Sequence, residues 1–141
     1  VILEPVMKVA MASDTDSALM AYDWLMYQDK SGILEDWATP DWKVIQRFVA
    51  TLLFYTLGGP NRWRHVAVPD SPSPSDQFLN TTSECEWNTI IPYIFDPSEA
   101  LPEDERGDFT LAGLQCNNQG KINRLQFSQL RVTGTIPYEV I

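Results

Sequence analysis

The strongest periodic signal lies in the middle of the chain. Val44, Phe48, Leu52 and Tyr55 recur at helical spacing, with Ile45, Val49 and Leu53 beside them. That spacing predicts one amphipathic helix over roughly 40 to 57. Thr39 is placed to cap it, Pro40 suits its first position, and Asp41 favours the positive end of the helix dipole. Gly58-Gly59-Pro60 ends it. An earlier helix starts at Ser13-Asp14-Thr15-Asp16, whose short polar side chains accept from free first-turn N–H groups. It carries Leu19, Tyr22, Leu25 and Met26 and ends near Asp29, before Gly32. Residues 1 to 12 read as an apolar lead-in without a clear period.

Further along, helical periodicity gives way to loops and short apolar runs. Residues 69 to 76 are rich in Pro, Ser and Asp and read as an irregular surface loop. The acidic stretch from Asp96 to Asp108 carries two prolines and reads as a second exposed loop. Leu111–Leu114 and Ile122–Phe127 are short strand candidates, joined by an Asn117–Gly120 turn. Two main helices followed by short strands predict an α+β fold. Apolar positions continue at Leu125, Phe127, Leu130 and Val132 into Gly134-Thr-Ile136-Pro137. That is the spacing of a short strand running into a tight turn.

Composition narrows the function classes. Hydrophobic residues make up 44% of 141 positions, enough for one domain with a real core. Nineteen acidic against ten basic side chains give a net charge of -9. A basic face that would neutralise phosphates is therefore not expected, which argues against nucleic-acid binding and against anionic membrane surfaces. The longest apolar run, Phe48–Leu57, is too short for the roughly 20 residues of a membrane span, and Arg47 sits at its edge. Val1–Met11 contains Glu4 and Lys8 and does not read as a signal peptide. The initial Val suggests that a targeting or anchoring segment has been removed or precedes it.

Several short elements occur in a telling order. They are Ala21-Tyr-Asp23-Trp24-Leu25, Arg47–Tyr55, Gly59-Pro60-Asn61-Arg62-Trp63, Glu84-Cys85-Glu86-Trp87, Gly113-Leu-Gln-Cys116 and Gly134-Thr-Ile136-Pro137. From about residue 17 onward the chain resembles the N-terminal cap and first repeat of plant-type extracellular leucine-rich repeat proteins, and more closely those of diatoms. The resemblance implies a helical cap over 1–112, leading into a cap strand and first repeat coil over 113–141. It also implies one disulfide, Cys85–Cys116. In that family the paired cysteines are close in sequence, so Asn88–Ala112 reads as an insertion between the Trp and Gly positions of the motif. Leu130 stands where the repeat usually has Asn, which marks an atypical terminal coil.

The function implied is a capping and recognition module without chemistry of its own, in the secretory pathway or another oxidising lumen. A lone repeat cannot bury its apolar face, and about three are needed for stability. Further repeats or a protein partner are thus expected to cover the C-terminal edge. No cofactor is expected. Trp63, Trp87, Leu125, Phe127 and Ile136 are the expected structural residues. Of the five tryptophans, Trp37 and Trp42 flank a loop and are the candidates for an exposed interface, together with Arg124 and Gln126 on the strand face. Asn80-Thr81-Thr82 fits an N-glycosylation acceptor at Asn80 in a polar loop.

Candidates for chemistry are weaker. Two cysteines and the single His65 fall short of four zinc ligands. A Cys–His dyad would need a free thiol, and no nucleophile motif accompanies His65. Asp14/Asp16 and the Asp96–Asp108 stretch lack the spacing of a calcium loop and read as solvated. Glu103/Glu105 read as loop carboxylates rather than an acid–base pair. The alternatives are a structural accessory subunit of a larger complex and, least favoured, a small hydrolase.

Overall fold

The computed structural model describes residues 3–61, 63, 74–92 and 109–127. Its elements run α1 (Glu4–Ser13), α2 (Thr15–Asp23), a π turn (Trp24–Gln28), α3 (Asp41–Thr56), α4 (Pro74–Gln77), β1 (Asn88–Pro92), β2 (Phe109–Cys116) and β3 (Ile122–Gln126). Short 3₁₀ turns lie at Gly59–Asn61 and Glu84–Glu86. The fold is α+β, with helices preceding a three-stranded antiparallel sheet in the order β1-β2-β3. No helix among the described residues is long and apolar enough to cross a membrane.

The first twelve residues differ from the sequence reading, which saw no period there. Pro5 sits in the first turn of α1, and Leu3 and Ala10 are buried with Val6 and Met7 packed beside them. These positions do follow helical spacing, but through small and flexible residues that give a weak signal. Asp14 caps α2 as its sequence suggests, its carboxylate accepting from Ser17 N at 3.2 Å and from Ser17 Oγ at 2.8 Å. At α3 the capping differs. Pro40 itself is the cap residue, in extended geometry, and no side chain caps the helix.

Residues 74 to 77 form the short helix α4 rather than irregular loop. The larger correction concerns the segment after Trp87. Its first residues are strand, with Asn88 opposite Gly113 and Ile90 opposite Leu111. The segment therefore leaves and returns as a hairpin on the same sheet. Gly113 makes the close return possible. Its φ is +122°, and a Cβ there would fall 2.2 Å from Trp87 O. Only glycine fits such a backbone.

One core cluster holds the molecule together. Phe48, Leu52 and Leu53 of α3 pack against Ala18 and Ala21 of α2, and Ala112 and Leu114 of β2 belong to the same cluster. The boundary drawn at 112/113 thus falls inside β2, within that core. Aromatic rings fill the space between helices and sheet. Phe54 stacks on Phe78 at 5.3 Å, Trp63 meets Phe78 edge-on at 5.0 Å, and Phe127 lies 5.2 Å from Trp63. Each such pair adds about 0.5–1.5 kcal/mol beyond burial. Gly59 admits the Phe54 ring, which a Cβ at that position would overlap at 2.1 Å.

Candidate functional site

Arg47 falls within the apolar stripe of α3, one turn from Val44 and from Thr51, and its side chain is 1% exposed. A buried charge is costly unless fully paired. The surrounding chain meets that demand completely. Arg47 Nε and Nη2 donate to the two oxygens of Asp29 at 2.6 and 2.9 Å, a bidentate pair. Nη1 donates to Glu84 Oε2 at 3.2 Å and to Thr82 O at 2.9 Å, and Nη2 also donates to Asn80 O at 2.7 Å. A guanidinium has five N–H donors, and all five are used.

Local structure delivers each partner. The π turn closes through Asp29 N to Trp24 O at 2.8 Å, so the Asp29 carboxylate emerges at the end of α2 facing α3. Ser31 locks that carboxylate from the other side through its N and Oγ, both at 3.0 Å. Glu84 opens a 3₁₀ turn capped by Ser83. The guanidinium lies over two indoles that meet edge-on, 5.3 Å from the Trp24 ring and 4.9 Å from the Trp87 ring. Trp87 is fully buried, and its Nε1 has no hydrogen-bond partner among the described residues. The network ties three distant segments into one rigid unit.

It also reaches the sheet. Gln46 Nε2 donates to Glu84 Oε1 at 2.7 Å and to Gly120 O at 3.0 Å, while Gln46 Oε1 accepts from Ile122 N at 2.9 Å. Asn88 Nδ2 donates to both Cys85 O and Leu114 O. Beside these bonds stands the disulfide Cys85–Cys116, with S–S 2.05 Å and Cα atoms 5.2 Å apart. Its sequence separation of 31 corresponds to roughly 3–4 kcal/mol in a chain-entropy model. In this oxidised form neither sulfur can act as a thiolate. Such a disulfide is compatible with oxidising surroundings.

Another side of α3 is open among the described residues. β3 pairs with β2 along one edge and with no described strand along the other. Between β3 and α3 runs a cleft of about 330 Å³, floored by Val49, Ala50, Leu53, Leu114, Ile122 and Leu125, with Gln46 and Arg124 at its rim. Leu125 is 40% exposed there, although the sequence marks it as structural. Leu125 sits opposite Leu114, and Arg124 opposite Gln115 on the other face of the sheet.

The remaining expected residues distribute as follows. Trp63 and Trp87 are core, and Phe127 packs against the core. Trp37 is 95% exposed, and Trp42 is 37% exposed with Lys121 Nζ 5.4 Å from its ring centre. Arg124 is exposed and Gln126 half-buried. Asn80 is exposed, with Oδ1 accepting from Thr81 N at 3.0 Å. Ile136, Leu130, His65, Glu103, Glu105 and the 96–108 stretch lie outside the described residues. Among the described residues no group of His, Cys, Asp or Glu is assembled to hold a metal. The Asp29–Arg47–Glu84 network escaped the sequence reading. Its one visible trace is an arginine inside the apolar stripe of α3. No family model, curated protein or solved structure matches the chain.

Proposed function

We propose that this chain is a non-catalytic capping and recognition module of a leucine-rich repeat protein. The helical layer closes one end, and the free edge of β3 receives the next repeat or a protein partner. One observation carries the reading: among the described residues, an edge strand lies beside an open apolar cleft, in a molecule whose buried Arg47 has every N–H donor paired. An unpaired edge next to exposed apolar surface favours association. The disulfide supports an oxidising compartment, extracellular or at the cell surface, where Asn80 would carry a glycan.

Intact mass and hydrogen exchange of the natural protein test this. The expected result is a mass above 16.0 kDa after reduction and deglycosylation, from further repeats, or a stable co-purifying partner. In either case the β3 amides are protected. A lone chain near 16.0 kDa whose β3 amides exchange freely would overturn the proposal. A partner without further repeats would select the accessory-subunit reading.

A further inference from the structure

A second cleft, of about 260 Å³, lies on the far side of the ionic network from β3. Its walls are the 31–39 loop and the 81–83 turn, and its floor is Arg47 and Glu84. The floor is rigid, and Arg47 has no N–H left for a ligand. The lining holds Asp36 and Glu84 beside Lys43 and Arg47, and Arg47 is already paired with both Asp29 and Glu84. What the walls offer is a set of unused hydrogen-bonding groups. Among the described residues, the Thr39 and Thr81 hydroxyls and the Lys43 ammonium make no hydrogen bond, and only one Asp36 carboxylate oxygen is occupied, by Ala38 N.

Trp37 follows Asp36 in the chain, next to residues that line the cleft, and is 95% exposed. Among the described residues almost nothing covers its ring. A large flat apolar face near mixed donors and acceptors matches one ligand chemistry well. A pyranose ring presents C–H groups on one face and neighbouring hydroxyls at its edge. Those hydroxyls can donate to a carboxylate and accept from an ammonium. The volume lies a little under the roughly 300 Å³ at which drug-sized pockets begin, which suits one or two sugar rings.

We propose that this cleft is a carbohydrate-binding site, with Trp37 as the stacking surface and Asp36, Thr39, Lys43 and Thr81 as the hydroxyl-reading groups. The sugar has two sources. Asn80 directly precedes Thr81 in the wall, so a glycan on Asn80 is one; a separate neutral oligosaccharide is the other. The proposal is independent of whether a repeat covers β3.

Trp37 fluorescence decides it, read as the difference between the chain and its Trp37→Phe variant. Protein from a secretory host is measured before and after enzymatic deglycosylation, and the Asn80→Gln form is titrated with cellohexaose, mannohexaose and chitohexaose. A blue-shifted Trp37 that turns red on glycan removal assigns the site to the protein's own glycan. A saturable blue shift in the Asn80→Gln titration assigns it to a separate sugar. Combining Lys43→Met with Thr81→Val, which keeps the Asn80 acceptor intact, is expected to weaken titrated binding about tenfold or more. In the glycosylated form the same pair is expected to abolish the shift. If Asn80 proves unmodified, the titration alone decides. Trp37 emission indifferent to glycan removal and to all three sugars overturns the proposal.

Discussion

The two sides of α3 are built on opposite principles. One side buries a charge and satisfies every donor it has; the other leaves Val49, Leu53 and Leu125 around an open cleft. Both are long-range arrangements, yet only the first is complete within the described residues. The contrast separates a part that is self-sufficient from a part that, on the proposed function, a partner or repeat would complete. A fully paired guanidinium gains nothing from an added partner. An apolar cleft beside a strand edge gains about 25 cal/mol for each Å² that is covered.

The largest expected effect is on the closed side. Arg47→Met removes the cation that pairs with two carboxylates and lies over two indoles. It should destabilise by about 3–5 kcal/mol, lowering the thermal midpoint by on the order of 10 °C. Calorimetry or circular dichroism checks this, and a loss below about 1 kcal/mol would place the network outside the stabilising core. Next comes the disulfide. Cys85→Ser should cost roughly 3–4 kcal/mol, and reductant should lower the melting temperature of the unaltered chain similarly. Equal melting under reducing and oxidising conditions would remove the bridge from the account.

The open side should behave differently. Leu125→Asp should change the stability of the isolated chain by less than about 1 kcal/mol and yet abolish association at the β3 edge, measured by sedimentation with the partner or in the longer protein. A severe folding defect in the isolated chain would mean that the edge is core after all. Trp37→Ala should leave stability within about 0.5 kcal/mol, checked by urea titration. The smallest effect concerns Tyr55, half-buried on α3. Burial pushes its phenol above the ordinary 10.0, so the fold favours the neutral form. Stability should be unaffected below pH 10 and fall as pH rises through the folded-state value, followed by ultraviolet phenolate absorbance alongside unfolding.

Local features were legible in the sequence and non-local pairings were not. α3 was readable because its stripe is long and its stop is a Gly-Gly-Pro. The β2–β3 hairpin was readable because Asn117 supplies a recognisable turn, its Oδ1 accepting from Gln119 N and Lys121 N. The disulfide came only with the ordered family-like elements around Cys85 and Cys116. β1 escaped because Asn88-Thr-Ile-Ile-Pro92 is strand only by virtue of its pairing with residues 109–113. For the same reason Asp29, Arg47 and Glu84 could not be joined from sequence; they sit 18 and 37 positions apart, and no periodicity links them. The polar cleft is equally a product of the fold, since its two walls meet only after Arg47 has gathered them.

The β1–β2 hairpin has a consequence for how this molecule can change over evolutionary time. Asn88 and Gly113 face each other across the ladder, with Leu114 N bonded to Trp87 O at 3.0 Å. The base of the excursion is therefore fixed independently of what lies at its far end. Lengthening or shortening an excursion between fixed points costs only about 0.6 kcal/mol per doubling. Chain can be exchanged there wholesale while Cys85 still meets Cys116 and Trp87 stays seated. The hairpin base is a socket, a position at which one scaffold can be fitted with successive loops without being redesigned.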